Sequence, residues 1–270
     1  MSEKSTGDVI SAIKTRKKNK GVTLLFASGE KIKLSEAAYS DFRLYEGKEV
    51  DSEEMKQLLA FGMEDEFYTY ALRLLNKEIY TSYDLFNKLT HKGASYEVAR
   101  SIIKRLREAK LIDDEEYARI YATDLADFRL YGKNRTIARL KEKGISDEII
   151  SRLSFPDDKE LERAIRFIEL LNKKLSKTPS NRKKSKAFSA LLAKGYDREI
   201  AQEALKKLAS TPEAIEAEAL AKDFYIAKNK YYKYEDLYIR KQKIFAYLGR
   251  KGYRYEDIKR LLEEEYNEDC

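Results

Sequence analysis

Residues that could carry out acid–base or metal chemistry are few in this sequence, and they lie where helices are expected to begin. Three adjacent acidic pairs offer the carboxylate oxygens that hard divalent cations prefer. They are Asp113-Asp114, Glu115-Glu116 and Asp157-Asp158. Carboxylates at helix starts also accept hydrogen bonds from backbone N–H groups and favour the helix dipole. We therefore interpret the pairs as helix caps and predict no metal site.

The sequence contains a single histidine, His91, two residues before Gly93 at a predicted helix end. No serine, cysteine or aspartate stands in a pattern that would complete a catalytic set around it. There is also no glycine-rich phosphate loop and no zinc-ligand spacing. We predict that the protein is not an enzyme and needs no cofactor.

Basic residues are concentrated in three predicted helices, and no acidic residue occurs between Glu169 and Asp197. Positive charge at this density suits a phosphate backbone or an acidic protein surface, although a solvated face without a partner is the alternative. The candidate residues for binding a partner or DNA are Lys133, Arg135, Arg139, Lys141, Lys143, Arg182, Lys183, Lys184, Lys186, Lys194, Arg240, Lys241, Lys243, Arg250 and Lys251.

Tyrosines are interleaved with basic residues most densely at 224–241. Such a mixture can stack on nucleic-acid bases. Core packing between helices explains most of these tyrosines better, and Tyr231, Tyr232 and Tyr234 are the candidate exceptions.

The stretch 111–146 shows how helices position these groups. Asp113 is a predicted N-cap, and Glu116 completes a capping box. Apolar residues follow at helical spacing, and we expect Gly132 to end this helix. A basic helix comes next, and Gly144 is expected to stop it.

The second half of that stretch occurs four times in the chain, about every 50 residues. Each copy has a Lys-Gly pair, a leucine four positions before the glycine and Phe or Ile seven before it. A glycine at this place can adopt the left-handed conformation that ends a helix. The leucines and glycines of the motif are Leu89 and Gly93, Leu140 and Gly144, Leu191 and Gly195, and Leu248 and Gly252.

A longer helix precedes each basic helix, so each repeat is predicted to have three helices that pack mainly on neighbouring repeats. The fold class is mainly α: an elongated array of tandem three-helix repeats with a small N-terminal antiparallel β element of two or three strands. The expected division is a β-rich head (1–50), a linking helix with repeat one (51–112), repeat two (113–155), repeat three (157–210) and repeat four (212–270).

Several of these segments resemble the RecX family of bacterial regulators of the RecA recombinase. They are LIDDEEYA at 111–118, Gly132 through Lys143-Gly144-Ile145, ALRLL to THKG at 71–93, KGYDREI and RKGYRYEDI. The resemblance spans essentially the whole chain. The length of the chain fits the longer members of the family, which carry an N-terminal sheet. The resemblance implies a modulator that binds RecA and RecA–DNA filaments in the filament groove and inhibits recombinase activity.

The bulk composition agrees with a charged helical array. Charged residues make up 37% of the chain, the mean hydropathy is −0.66 and the net charge is +7, which favours a polyanionic partner. The single cysteine, Cys270, allows no internal disulfide, and no apolar run has the length of a signal peptide or membrane span. We expect a cytoplasmic monomer without membrane contact.

Three functions are weighed in a definite order. The first is inhibition of RecA through a basic helical surface. The second is a helical-repeat protein that binds DNA or RNA directly, without a recombinase partner. The third, far behind, is a metal-dependent nuclease that uses the acidic pairs.

Overall fold

The computed structural model describes residues 7–16 and 21–267. Cys270 lies outside the described residues, so its predicted free thiol is not addressed by the structure. In the part of the chain that is described, no helix is both long and apolar enough to cross a membrane.

The head is a four-stranded antiparallel sheet in the order β3-β2-β1-β4. Alternating residues such as Ile10, Leu24 and Leu34 are fully buried on one face. Two or three strands were expected from the sequence. The additional strand has only two residues, too few for an alternating pattern to reveal it. The elements are β1 (Asp8–Arg16), β2 (Gly21–Phe26), β3 (Lys31–Ser35), α1 (Glu36–Asp41) and β4 (Glu49–Val50).

One long helix, α2 (Ser52–Leu75), belongs to both the head and repeat one. Its N-cap is Asp51, whose carboxylate accepts from the backbone N–H groups of the next turn. Leu58 completes the core beneath the sheet, and Ala71 lies in the next hydrophobic core. Because a two-layer head this small has little core of its own, α2 provides the surface on which the sheet is stable.

From α2 onward the helices come in sets of three, which confirms the prediction of a mainly α fold built from three-helix repeats behind a small antiparallel sheet. Repeat one contains α2, α3 (Ser82–His91) and α4 (Tyr96–Glu108). The remaining sets are α5 (Asp114–Asp127), α6 (Lys133–Glu142) and α7 (Asp147–Ser151); α8 (Asp157–Lys174), α9 (Ser180–Lys194) and α10 (Arg198–Leu205); and α11 (Glu213–Tyr231), α12 (Leu237–Lys251) and α13 (Tyr255–Asn267).

The chain forms two compact units. The N-terminal unit holds the residues up to Ala118 together with Lys143–Ile149, and the C-terminal unit holds Arg119–Glu142 and the residues from Ile150 onward. This division passes through repeat two. The repeat bounds therefore describe triplets of helices and remain a prediction as domain bounds.

Every repeat glycine has a positive φ, from 72° at Gly144 to 107° at Gly93. The leucine four positions earlier is fully buried in all four repeats. The position seven before the glycine is only partly buried. The position eight before it is buried instead, because it lies one helical turn from the leucine on the same face. Its residues are Leu85, Thr136, Ala187 and Ile244.

The prediction that Gly132 ends a helix is wrong. Helix α5 ends at Asp127, and Leu130 is the residue that adopts a positive φ, of 50°. Gly132 precedes α6, where a Cβ atom would lie 2.5 Å from the backbone nitrogen of Tyr196. A glycine is needed there because two backbone segments approach closely, not because the chain turns left-handed.

We predict that Gly195→Ala destabilises the protein more than Gly93→Ala. Both residues have positive φ, which costs alanine about 1–2 kcal/mol. At Gly195 the added Cβ would also lie 2.3 Å from the Arg135 nitrogen, whereas at Gly93 it meets nothing within 4 Å. Overpacking raises the total at Gly195 to about 2–5 kcal/mol. Urea unfolding followed by circular dichroism measures the difference, and equal losses for the two variants would contradict it.

Candidate partner-binding surface

Three of the four repeat glycines, Gly144, Gly195 and Gly252, lie where one repeat packs against another. In the C-terminal unit, Gly195 at the end of α9 packs on Arg135 in the first turn of α6, and Gly252 at the end of α12 packs on Arg182 in the first turn of α9. Backbone hydrogen bonds also join the start of α6 to the end of α9. Gly132 N–H donates to the Lys194 carbonyl at 2.9 Å, and Asn134 N–H donates to the Gly195 carbonyl at 3.1 Å. The basic second helices of repeats two, three and four therefore form a series, in which the end of each helix lies against the start of the preceding one.

A carboxylate from the following repeat lies at the starts of α6 and α9. Glu160 of α8 accepts from the Lys133 N–H at 2.5 Å, and Glu216 of α11 accepts from the Ser180 hydroxyl at 2.7 Å. Within the N-terminal unit, Asp114 accepts from the Ser82 N–H at 2.7 Å in the same way. Orphan N–H groups at a helix start favour a negative charge, so this contact couples neighbouring repeats electrostatically.

Glu160 is the most buried of these three carboxylates, with 3% of its surface exposed. Burial raises its pKa above the ordinary value of 4.5, although the hydrogen bond from Lys133 opposes that shift.

The α6–α9 junction gathers three of the predicted basic residues around Tyr131. The Arg135 guanidinium and the Lys194 ammonium each lie 4.7 Å from the centroid of its ring. Burial raises the pKa of the Tyr131 phenol, but the charges and hydrogen bonds of Arg135, Lys194 and Arg139 outweigh it, so the pKa lies below its ordinary value. Burial, followed by repulsion from Arg135 and Arg129, lowers the pKa of the Lys194 ammonium against the opposing attraction of Tyr131.

Two of these basic side chains also hold the junction together. Arg135 Nη1 donates to the Ala193 carbonyl at 2.7 Å, and Lys194 Nζ donates to the Arg129 carbonyl at 2.7 Å. Arg139 is bonded to Glu142 on its own helix. These contacts make the cluster a structural element with a cationic outer surface.

Several predicted binding residues are engaged within the fold, which corrects their assignment to an open surface. Lys183 is only 3% exposed, and burial lowers its pKa. Lys143 pairs with Asp84 at 2.8 Å, and Lys251 pairs with Asp223 at 2.6 Å. Arg240 donates twice to the Tyr234 carbonyl. Helical spacing places Lys183 and Arg240 toward the interior, which a count of charges along the sequence does not reveal.

The remaining predicted cations form the open part of the surface. Lys241 and Lys243 are partly exposed and lie over the rings of Tyr266 and Tyr234. The exposed members are Lys133, Lys141, Arg182, Lys184, Lys186 and Arg250. Both sets lie on the second helices, so the C-terminal unit carries basic charge along α6, α9 and α12.

Comparison with known proteins connects this arrangement to one family. The family model described as RecX, second three-helix domain, matches residues 113–152. A regulatory protein RecX of Lactobacillus johnsonii is 24% identical over 257 residues, or 94% of each chain. The regulatory protein RecX of Listeria welshimeri is 29% identical over 265 residues, 94% of this chain and 96% of its own. The chain is therefore similar to RecX proteins over 94% of its length.

Two crystal structures of RecX proteins have the same fold. One, a regulatory protein RecX, has a TM-score of 0.64 over 72% of this chain and 97% of its own. RecX from Lactobacillus salivarius has a TM-score of 0.50 over 54% of this chain and 96% of its own. Both are 24% identical, so they support the fold alone. The predicted family resemblance is confirmed, and the comparisons support a regulatory role of the RecX kind.

The first of the acidic pairs that prompted the nuclease hypothesis, Asp113-Asp114, has structural contacts. One Asp113 oxygen accepts from the backbone N–H groups of Glu115 and Glu116, each at 3.0 Å. Asp114 bonds Arg107 at 2.6 Å in addition to Ser82. Within residues 7–16 and 21–267, no three acidic, histidine or cysteine side chains are grouped to hold a metal ion.

Asp197 immediately precedes α10 but does not cap it. Its backbone is extended before α10, but its carboxylate makes no capping bond and accepts from the Asn134 amide at 2.6 Å. This contact joins repeats two and three, so a residue of capping type is used here at a junction.

The sequence analysis did not identify Tyr131 or the three carboxylates that accept hydrogen bonds at the helix starts of neighbouring repeats. A signal for the carboxylates exists: Asp114, Glu160 and Glu216 each precede a buried residue of the same helix by four positions. Nothing local distinguishes Tyr131, because the residues around it come from α6 and the end of α9.

We predict that Glu160→Gln changes how stability depends on pH. A carboxyl group whose pKa is raised by folding stabilises the protein most below its unfolded pKa and loses that contribution as pH rises through the folded pKa. Over the pH range above the ordinary value of 4.5, the wild type should therefore lose free energy of unfolding relative to Glu160→Gln, whose amide oxygen can still accept from Lys133. Urea unfolding across that range, with Glu162→Gln on the same helix as background, measures the change; a constant difference would contradict it.

Proposed function

We propose that this chain is a non-enzymatic inhibitor of RecA that binds RecA and RecA–DNA filaments and limits their assembly and activity. The observation that carries the proposal is the run of basic second helices in the C-terminal unit, from α6 through α9 to α12. Similarity to RecX proteins supports the regulatory role, and the basic helices supply a surface that suits an acidic filament groove or bound DNA.

The arrangement favours a filament over a single recombinase molecule. Glycine junctions fix the spacing of the three helices, so their cations meet a partner together rather than one at a time. Weak contacts held at fixed spacing add through effective concentration when the partner presents repeating sites. A recombinase filament is such a partner. The electrostatic part of this binding should weaken with salt.

We include in the proposal that the protein acts in the cytoplasm as a monomer, without a cofactor or membrane contact. The alternative function is direct binding of DNA or RNA without a recombinase. It is favoured by the same exposed cations, because Lys184 and Lys186 would suit phosphate as well as carboxylate groups.

The test is the single-stranded-DNA-dependent ATPase of RecA with this protein added at less than one copy per RecA. We expect the wild type to suppress ATP hydrolysis at that ratio. The variant Lys184→Glu with Lys186→Glu should need roughly ten-fold more protein for equal suppression, because two exposed attractive charges become repulsive. Reversal of Arg135 or Lys143 is less informative, since both side chains hold the fold.

The matched control is Lys56→Glu with Lys104→Glu. These lysines are exposed on α2 and α4, outside the second helices, and their reversal changes the net charge equally. Equal loss of inhibition in both variants would indicate net charge rather than a defined surface. An excess of wild type without any effect on the ATPase would refute the recombinase proposal.

A further inference from the structure

A groove of about 730 Å³ lies between α12 and α13 in repeat four, away from the glycine junctions. Its lining combines aromatic, basic and aliphatic side chains, among them Tyr238, Lys241, Phe245, Tyr255, Lys259 and Leu262. The cations of α12 considered above account for only one side of it. The aromatic side chains require a separate explanation.

Two tyrosines border the groove with their rings open to solvent. Tyr238 is 69% exposed and Tyr255 is 60% exposed. Tyr255 is nevertheless fixed, because its ring packs edge to face on Phe245 at a centroid distance of 5.1 Å. An exposed ring held in place by the core offers a flat apolar surface that loses little conformational entropy on binding.

The tyrosines singled out by sequence reasoning are less well placed. Tyr231 packs against Tyr247 and Tyr234, and Tyr234 lies beneath Lys243. Tyr232 is exposed, but it is covered on one side by Arg240 at 5.3 Å.

The charged side chains that line the groove are two lysines and one glutamate. Lys241 has no carboxylate partner among the described residues, and its Nζ lies 5.1 Å from the Tyr266 ring centroid. Lys259 is paired with Glu263, the acidic residue of the groove, at 3.6 Å. Helix α12 itself contains no acidic residue. A ligand of this groove therefore needs flat apolar faces and negative charge together.

We infer that the α12–α13 groove binds single-stranded nucleic acid. Bases would stack on Tyr238 and Tyr255, and a phosphate would approach Lys241. Single strands expose the base faces that such stacking requires, whereas a duplex keeps them covered. An acidic peptide would satisfy Lys241 but would leave the two open rings without a flat partner. The inference requires no recombinase, so it stands or fails separately from RecA inhibition.

The experiment uses the full chain and a labelled oligothymidylate of about 20 nucleotides, without RecA. Anisotropy gives the affinity, and quenching of tyrosine emission gives an independent signal because the protein has no tryptophan. Tyr238→Ala and Tyr255→Ala should each weaken binding about ten-fold, as expected for loss of one stacked base. Tyr238→Phe should retain binding, since the ring remains. Lys241→Gln should reduce the slope of log K against log salt by about 0.7, the value for one single-strand phosphate.

Tyr225→Ala is the matched control, because Tyr225 is 67% exposed in the same repeat but lies on α11, outside the groove. It should bind like the wild type. Equal affinity of the groove and control variants, equal binding of duplex and single strand, or no binding by the wild type would each overturn the inference. The last result would point to an acidic protein as the occupant. Circular dichroism of each variant verifies that the helices are intact.

Discussion

The structure depends on one repeated contact. In it, the glycine that ends the second helix of one repeat packs on the first turn of the second helix of the preceding repeat. Gly195 satisfies two conditions there at once: its φ is 90°, and the space for a Cβ is filled by Arg135. Gly252 meets the same conditions against Arg182. Because the contact is made by backbone, its geometry is fixed, and the basic side chains of α6, α9 and α12 inherit that fixed spacing.

The same contact differs at the first and the fourth repeat. Gly93 in repeat one has nothing near its Cβ position, since no three-helix repeat precedes it. At the other end, α12 starts with Asp236, whose own carboxylate accepts from Tyr238 and Ile239 N–H groups. The start of α12 is thus satisfied within its own repeat, whereas the start of α6 takes Glu160 from the following repeat.

Much of the fold could be predicted from the sequence, because each repeat needs the same residue types at the same places. Glycine is required at the turn and leucine in the core, so both recur. The buried position eight before the glycine accepts Leu85, Thr136, Ala187 or Ile244, because each repeat fills that space differently, and no pattern marks it. The candidate surface was harder to predict. Lys183 lies within a segment without acidic residues, but its position on α9 places its side chain in the interior. The basic residues around Tyr131 come together only where α6 and α9 pack.

We propose that the second helices of the C-terminal unit act on the recombinase filament as one surface. Amide hydrogen exchange of the full chain, alone and bound to RecA on single-stranded DNA, tests this directly. We predict slower exchange in all three segments together, Lys133–Glu142, Ser180–Lys194 and Leu237–Lys251. Protection limited to a single one of these helices, or placed instead on the head sheet and α4, would contradict it.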